Sequence, residues 1–134
     1  MARFATTQVS LPDALNTIAD KADNNSFRTI TAVAAASTIT LTAAQMVNGI
    51  ATFTGGSTCT VTTPTATAIV AQMPDCQVGY TFELVIINNN SGSVSFTGGT
   101  GVTIPAILAT VATATVRTIK GVVTAVGTPA VQLY

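Results

Sequence analysis

An all-β domain, built as an antiparallel β-sandwich or a jelly-roll-like barrel, is the fold class this sequence predicts, and three observations carry it. Short stretches alternate strictly between β-branched or apolar residues and threonine, the period-two pattern of a strand with one buried face. Glycine and asparagine clusters break these stretches at intervals of roughly 8–12 residues, the spacing of a sandwich or barrel rather than of βαβ units. The chain has 134 residues, 48% of them hydrophobic, with a mean hydropathy of +0.55, enough to fill one core and too much for a disordered chain.

Taken in order, residues 1–28 read as an N-terminal arm and 29–134 as the β-rich domain. In the arm, Ser10-Leu11-Pro12-Asp13 is a helix start, with proline and an acid in the first turn. Leu11, Leu15, Ile18 and Ala22 then recur at helical spacing and form one apolar stripe, ended by Asp23-Asn24-Asn25-Ser26. A single short amphipathic helix does not hold together alone in water, so it must lie on its own body or on a partner.

In the body, Thr38–Thr42, Cys59–Thr62 and Val111–Val116 each predict a strand with threonine on the outer face. Two short helical turns are expected between strands. One runs from Thr42 to Gly49 with a threonine cap and a glycine stop, and the other from Thr65 to Met73, ending at Pro74. Tyr80, Phe82, Leu84 and Ile86 face one way on a strand whose other face also turns apolar at Val85 and Ile87, which makes it the expected central core strand. Asn48-Gly49, Gly55-Gly56, Asn88–Gly92, Gly98–Gly101, Gly121 and Gly127-Thr128-Pro129 are the expected turns, the asparagine run being a hairpin turn. Phe53-Thr54-Gly55-Gly56 is echoed by Phe96-Thr97-Gly98-Gly99, and both stretches read as glycine-turn hairpins of one design.

Charge is the most unusual property. Charged residues are 7% of the chain, against about 25% in an ordinary domain, and none occurs from Thr29 to Pro74 or from Leu84 to Val116. Six of the ten lie within the first 28 residues: Arg3, Asp13, Asp20, Lys21, Asp23 and Arg28. With a formal net charge of zero and no basic cluster, the footprint of a nucleic-acid binder is missing. Polar residues interrupt every apolar run well before the ~18 residues of a spanning helix, so no membrane partner is expected. Met1–Thr7 has no apolar core of a signal peptide, and the expectation is synthesis in the cytoplasm. On that compartment argument Cys59 and Cys76 are expected to be reduced and structural, although their separation in sequence does not exclude a bridge.

The groups that do chemistry are scarce. Histidine is absent, and with it the usual base of nucleophilic triads and the commonest metal ligand. Two cysteines lack the further partners of a zinc site. Asp13, Asp20 and Asp23 read as a solvated helix face. Asp75 and Glu83 are the only acids of the body, and a glycosidase-like pair there lacks the flanking aromatic platforms such a site needs. A surface aspartate in a turn and a strand glutamate are the plainer reading, and a pairing of Glu83 with Arg117 or Lys120 across neighbouring strands is a further hypothesis. The glycine clusters lack the lysine ending and the helix of a phosphate loop, and Asn88-Asn89-Asn90 lacks the carboxylates of a calcium site. No catalytic residue, cofactor or metal is expected.

Thr40–Ile50, then Thr63-Pro64-Thr65-Ala66 with Ile69-Val70-Ala71, then Val78-Gly79-Tyr80-Thr81-Phe82 leading to Ile86-Ile87-Asn88, resembles the capsid decoration, or cement, proteins of tailed bacteriophages, over about Ile39 to Thr103. The resemblance implies a small β-rich virion protein without enzymatic activity. It would be a homotrimer seated at threefold or quasi-threefold positions on the outer capsid surface, bridging capsomers, with the major capsid protein as partner. Arg3, Phe4, Leu11, Leu15, Ile18 and Arg28 are then the expected capsid contacts. The other structural role the sequence allows is a tail-fibre or spike tip, or a lectin-like surface module, against which the absence of tryptophan weighs.

Overall fold

The computed structural model describes residues 28–34 and 38–134, and strands account for 46% of these residues, as the alternation predicts. Among the described residues are ten strands: β1 (Ile30–Ala34), β2 (Thr38–Thr40), β3 (Ile50–Thr54), β4 (Cys59–Thr62), β5 (Thr81–Asn88), β6 (Val94–Thr97), β7 (Val102–Thr103), β8 (Thr110–Val111), β9 (Thr115–Ala125) and β10 (Ala130–Leu133). Helices α1 (Ala43–Met46) and α2 (Ala66–Gln72) and a 3-10 turn (Ala106–Leu108) interrupt them.

The strands form a six-stranded sheet, ordered β1-β3-β5-β9-β10-β7, and a four-stranded sheet, ordered β2-β4-β6-β8. Through β6 the chain alternates between the sheets, so that β1, β3 and β5 stack in parallel in one while β2, β4 and β6 stack in parallel in the other. Each pass through both sheets is one coil, and three coils lie on one another. Parallel neighbours cannot be joined by a tight turn, and α1 and α2 make the return from the four-stranded sheet to the next strand of the six-stranded one. Thr42 caps α1 through a reciprocal box with Gln45, and Thr65 caps α2 by accepting the Ala68 N–H, as the threonine signals predict.

This connectivity corrects several expectations. The sheets are mixed rather than antiparallel, five of the eight strand pairings being parallel, and neither sheet closes into a barrel. The two echoed glycine segments are not hairpins. The first carries the chain from β3 to β4, the second from β6 to β7, and each crosses between sheets. Phe53 and Phe96, which open them, meet edge-to-face in the core with ring centroids 6.4 Å apart. The asparagine run is likewise a crossing, from β5 to β6. Val111–Val116 is split between β8 and β9, because Ala114 is left-handed at φ 54° and the Thr115 hydroxyl bonds back to the Ala112 carbonyl. Gly121, expected as a turn, lies inside β9, and the hairpin of the region is the β9–β10 turn at Gly127-Thr128-Pro129.

Inward-facing residues of both sheets share one core: Phe53, Leu84, Ile86, Ile119 and Val123 from the larger, Cys59, Val61, Val94 and Phe96 from the smaller, with Leu41, Met46 and Ile69 beside them. Two local devices hold the coils in register. Asn88, fully buried at the end of β5, sends its amide nitrogen to the carbonyls of Gly92, Val111 and Ala112 at 3.1, 3.1 and 3.0 Å, while its oxygen accepts the Asn90 N–H at 3.0 Å. The crossing it braces lies directly on the one below, where a Cβ at Gly92 would come within 2.4 Å of the Thr58 nitrogen. At the opposite end of β5, the Phe82 ring lies over Gly121, its partner in β9, leaving 2.1 Å for any added Cβ.

Asn88→Ala should therefore lower unfolding stability in urea by about 2 kcal/mol or more, since it strands buried carbonyls. A loss below about 0.5 kcal/mol would show that the amide does not brace the crossing. Gly121→Ala should cost about 1–3 kcal/mol by displacing the Phe82 ring, checked by the same titration. An unchanged midpoint would contradict that contact.

Candidate functional site

Alternation along strands gives each sheet an outer face, and the two faces differ in chemistry. On the six-stranded sheet the pairing aligns residues in rows across the strands. One row is Ile30, Ile50, Val85 and Thr118, and the next is Ala32, Thr52, Ile87 and Val116. Beside them, two residues earlier on β1, β3 and β5, lie Arg28, Asn48 and Glu83, with Lys120 opposite Glu83 on β9. The Arg28 guanidinium is paired with the Glu83 carboxylate, and the Lys120 amine stands 3.8 Å from the other carboxylate oxygen. Asn48, left-handed at φ 55°, accepts the Glu83 backbone N–H at 3.1 Å and so links the strand carrying Glu83 to the end of the first coil.

These groups border an open cleft of about 380 Å³, lined also by Phe82, Val122 and Tyr134. The hydrogen bond from Arg28 is the main cause that holds the Glu83 carboxyl below its ordinary range, with the charges of Arg28 and Lys120 acting in the same direction. The Lys120 side chain is 68% exposed and Glu83 is shared between two cations, so the row carries a surplus of positive charge.

The four-stranded sheet presents hydroxyls. Thr38, Thr60, Ser95 and Thr110 form one row, and Thr40, Thr62 and Thr97 the next, with no ionic side chain in either. Their alternates, Ile39, Val61 and Phe96, point to the core. Each row pairs hydroxyl-bearing residues in register, a surface that offers donors and acceptors without charge.

The remaining sequence-predicted residues fall as follows. Phe82, Leu84 and Ile86 are buried on β5, which lies between β3 and β9 inside the larger sheet, as expected of a core strand. Tyr80 is a correction: it precedes β5 and is 42% exposed, because the chain is still in the turn around Gly79. Glu83 does face Lys120, but its closer partner is Arg28. Arg117, opposite Ile86, instead donates to the carbonyls of Ile107 and Thr110, both at 3.0 Å. Neither Cys59 nor Cys76 is in a disulfide, and burial pushes the Cys76 thiol up, away from a reactive thiolate. Arg3, Phe4, Leu11, Leu15 and Ile18 lie outside the described residues.

Among the described residues no three His, Cys, Asp or Glu side chains gather as a metal site, and no helix is long and apolar enough to cross a membrane. Comparison of the chain with protein families, curated proteins and solved structures finds no match. The hydroxyl rows and the Arg28 pairing are not among the sequence expectations. The rows have a signal, the hydroxyl–apolar–hydroxyl triplets at 38–40, 60–62 and 95–97, whereas Arg28 and Glu83 lie 55 residues apart with no local sign of contact.

A depressed glutamate contributes stability that is whole above its unfolded value, about 4.3, and is lost as pH falls through the lower folded one. Wild-type stability should thus fall more steeply than that of Glu83→Gln as pH drops below roughly 4.3. Parallel profiles from urea titrations would contradict a working Arg28–Glu83 pair.

Proposed function

We propose that this protein is a structural component of a tailed-phage virion, a β-sandwich that binds the outer capsid surface as a homotrimer at threefold or quasi-threefold positions and ties neighbouring capsomers together. The observation that carries the reading is the four-stranded sheet's hydroxyl face. A protein surface without charge can be covered by another protein without the large cost of desolvating ions, while its hydroxyls still find partners. The likeness of the Thr40–Asn88 motifs to decoration proteins points the same way. Such a protein works by mass action: it binds the assembled shell and not its separated subunits, so every copy bound favours assembly.

A tail-fibre or spike part is the second reading. It is favoured by the stack of coils, whose first strands β1 and β2 are both sheet edges at the same end, as at the end of an extendable column.

Purified protein mixed with undecorated heads should co-sediment with them at about several hundred copies per head, the number closed icosahedral symmetry allows. A handful of copies confined to tailed particles would favour the fibre. Thr60→Lys/Thr62→Lys should weaken head binding by about 100-fold or more, because a lysine there is buried unpaired, with an unchanged melting temperature. Undiminished binding by that folded variant would remove the hydroxyl face from the account.

A further inference from the structure

The outer face of the six-stranded sheet carries an apolar cluster, flanked by Thr52 and Thr118, where the other face is hydroxylic. Ile30 is 70% and Val116 66% exposed, and Ile50, Val85 and Ile87 are half-buried between them. Large contiguous apolar surface on a folded protein marks a place where something binds. The chain itself leads to this face. Arg28, where the described residues begin, is fixed on it by Glu83, and 27 residues precede it.

We propose that the face is the docking site of residues 11–22 of the same chain, whose stripe of Leu11, Leu15, Ile18 and Ala22 lies over Ile30, Ile50, Val85, Ile87 and Val116. Three features of the molecule support this occupant. The first is reach: only Asp23 to Phe27 separate Ala22 from Arg28, a tether that spans about 20 Å when extended. The second is size, since twelve helical residues run about 18 Å and the four strands β1, β3, β5 and β9 cover about 14 Å from first to last.

Charge is the third. Asp13 and Asp20 against the single Lys21 leave the segment acidic, with Asp23 next to it in the tether, and it would lie beside the row where Arg28 and Lys120 outnumber Glu83. A segment tethered this closely also meets the face at an effective concentration of about millimolar, which favours its own chain over a neighbour's. The docking assigns Leu11, Leu15 and Ile18 to the protein's own body instead of to the shell, and it stands whether or not the protein binds capsids.

The test places a photo-crosslinking benzoylphenylalanine at position 15 of the full chain, in a mixture of light and isotopically heavy protein refolded together. Adducts should map to β3, β5 or β9 residues of the outer face and join light to light and heavy to heavy. Mixed light–heavy adducts would overturn the proposal in favour of a sister copy, and adducts elsewhere, or none, would overturn the docking site itself. As a second readout, Val116→Cys in a Cys76→Ser background should react with a maleimide about tenfold faster once Leu15→Asp/Ile18→Asp is added. Thr110→Cys, on the other sheet, should not change. Equal rates at position 116 would also overturn the docking.

Discussion

Parallel register is the constraint from which the rest of this structure follows. A strand that lies parallel to its predecessor must be reached by leaving the sheet and coming back. Here the chain leaves by crossing to the second sheet and returns by α1 or α2. One residue of slip in either ladder would turn Val33, Phe53 and Ile86 outward and bring threonine into the core. What prevents the slip is concentrated at the crossings: Asn88 ties the third, through Gly92 and Asn90, to the corner after β8 at Val111 and Ala112, and Gly92 lets that crossing settle on the second. The antiparallel strands β9 and β10 then complete the larger sheet, with Gly121 making room for the Phe82 ring.

The same register gives the molecule two unlike faces. Stacking places like residues over like, so that three hydroxyl–apolar–hydroxyl triplets become two hydroxyl rows, and Ile30, Ile50 and Val85 become one apolar row. On the outer face of the larger sheet the ionic side chains keep to a single row, where Glu83 takes two cations. We read the hydroxyl face as the one that meets a protein lattice, and the apolar face as the seat of the chain's own N-terminal segment. Both readings express one economy of composition: a body with so few ions leaves little to desolvate when its surfaces are covered.

Much of the local structure is legible in the sequence, because it depends on near neighbours. The threonine caps of α1 and α2, strand β4 from Cys59 to Thr62 and the buried side of β5 need only spacing and propensity. The direction of strand pairing is not legible that way. A Phe-Thr-Gly-Gly segment looks the same whether it reverses within a sheet or crosses to another, since what differs is the partner of the second strand, which lies far away in sequence. Ala112–Thr115 alternates like a strand, yet a left-handed Ala114 and two hydroxyl bonds, from Thr113 to the Asn90 carbonyl and from Thr115 to Ala112, turn it into a corner. The site follows the same division. Its residues are ordinary one by one, and the pairing of Arg28 with Glu83 exists only once three coils are stacked in register.

The claim that the hydroxyl face meets a protein lattice is tested most directly by a cryo-electron reconstruction of virions carrying this protein. The account predicts density for the domain on the outer shell with Thr38, Thr60, Ser95 and Thr110 turned towards capsid protein. A domain absent from the shell, or bound to it with those rows facing water, would contradict it.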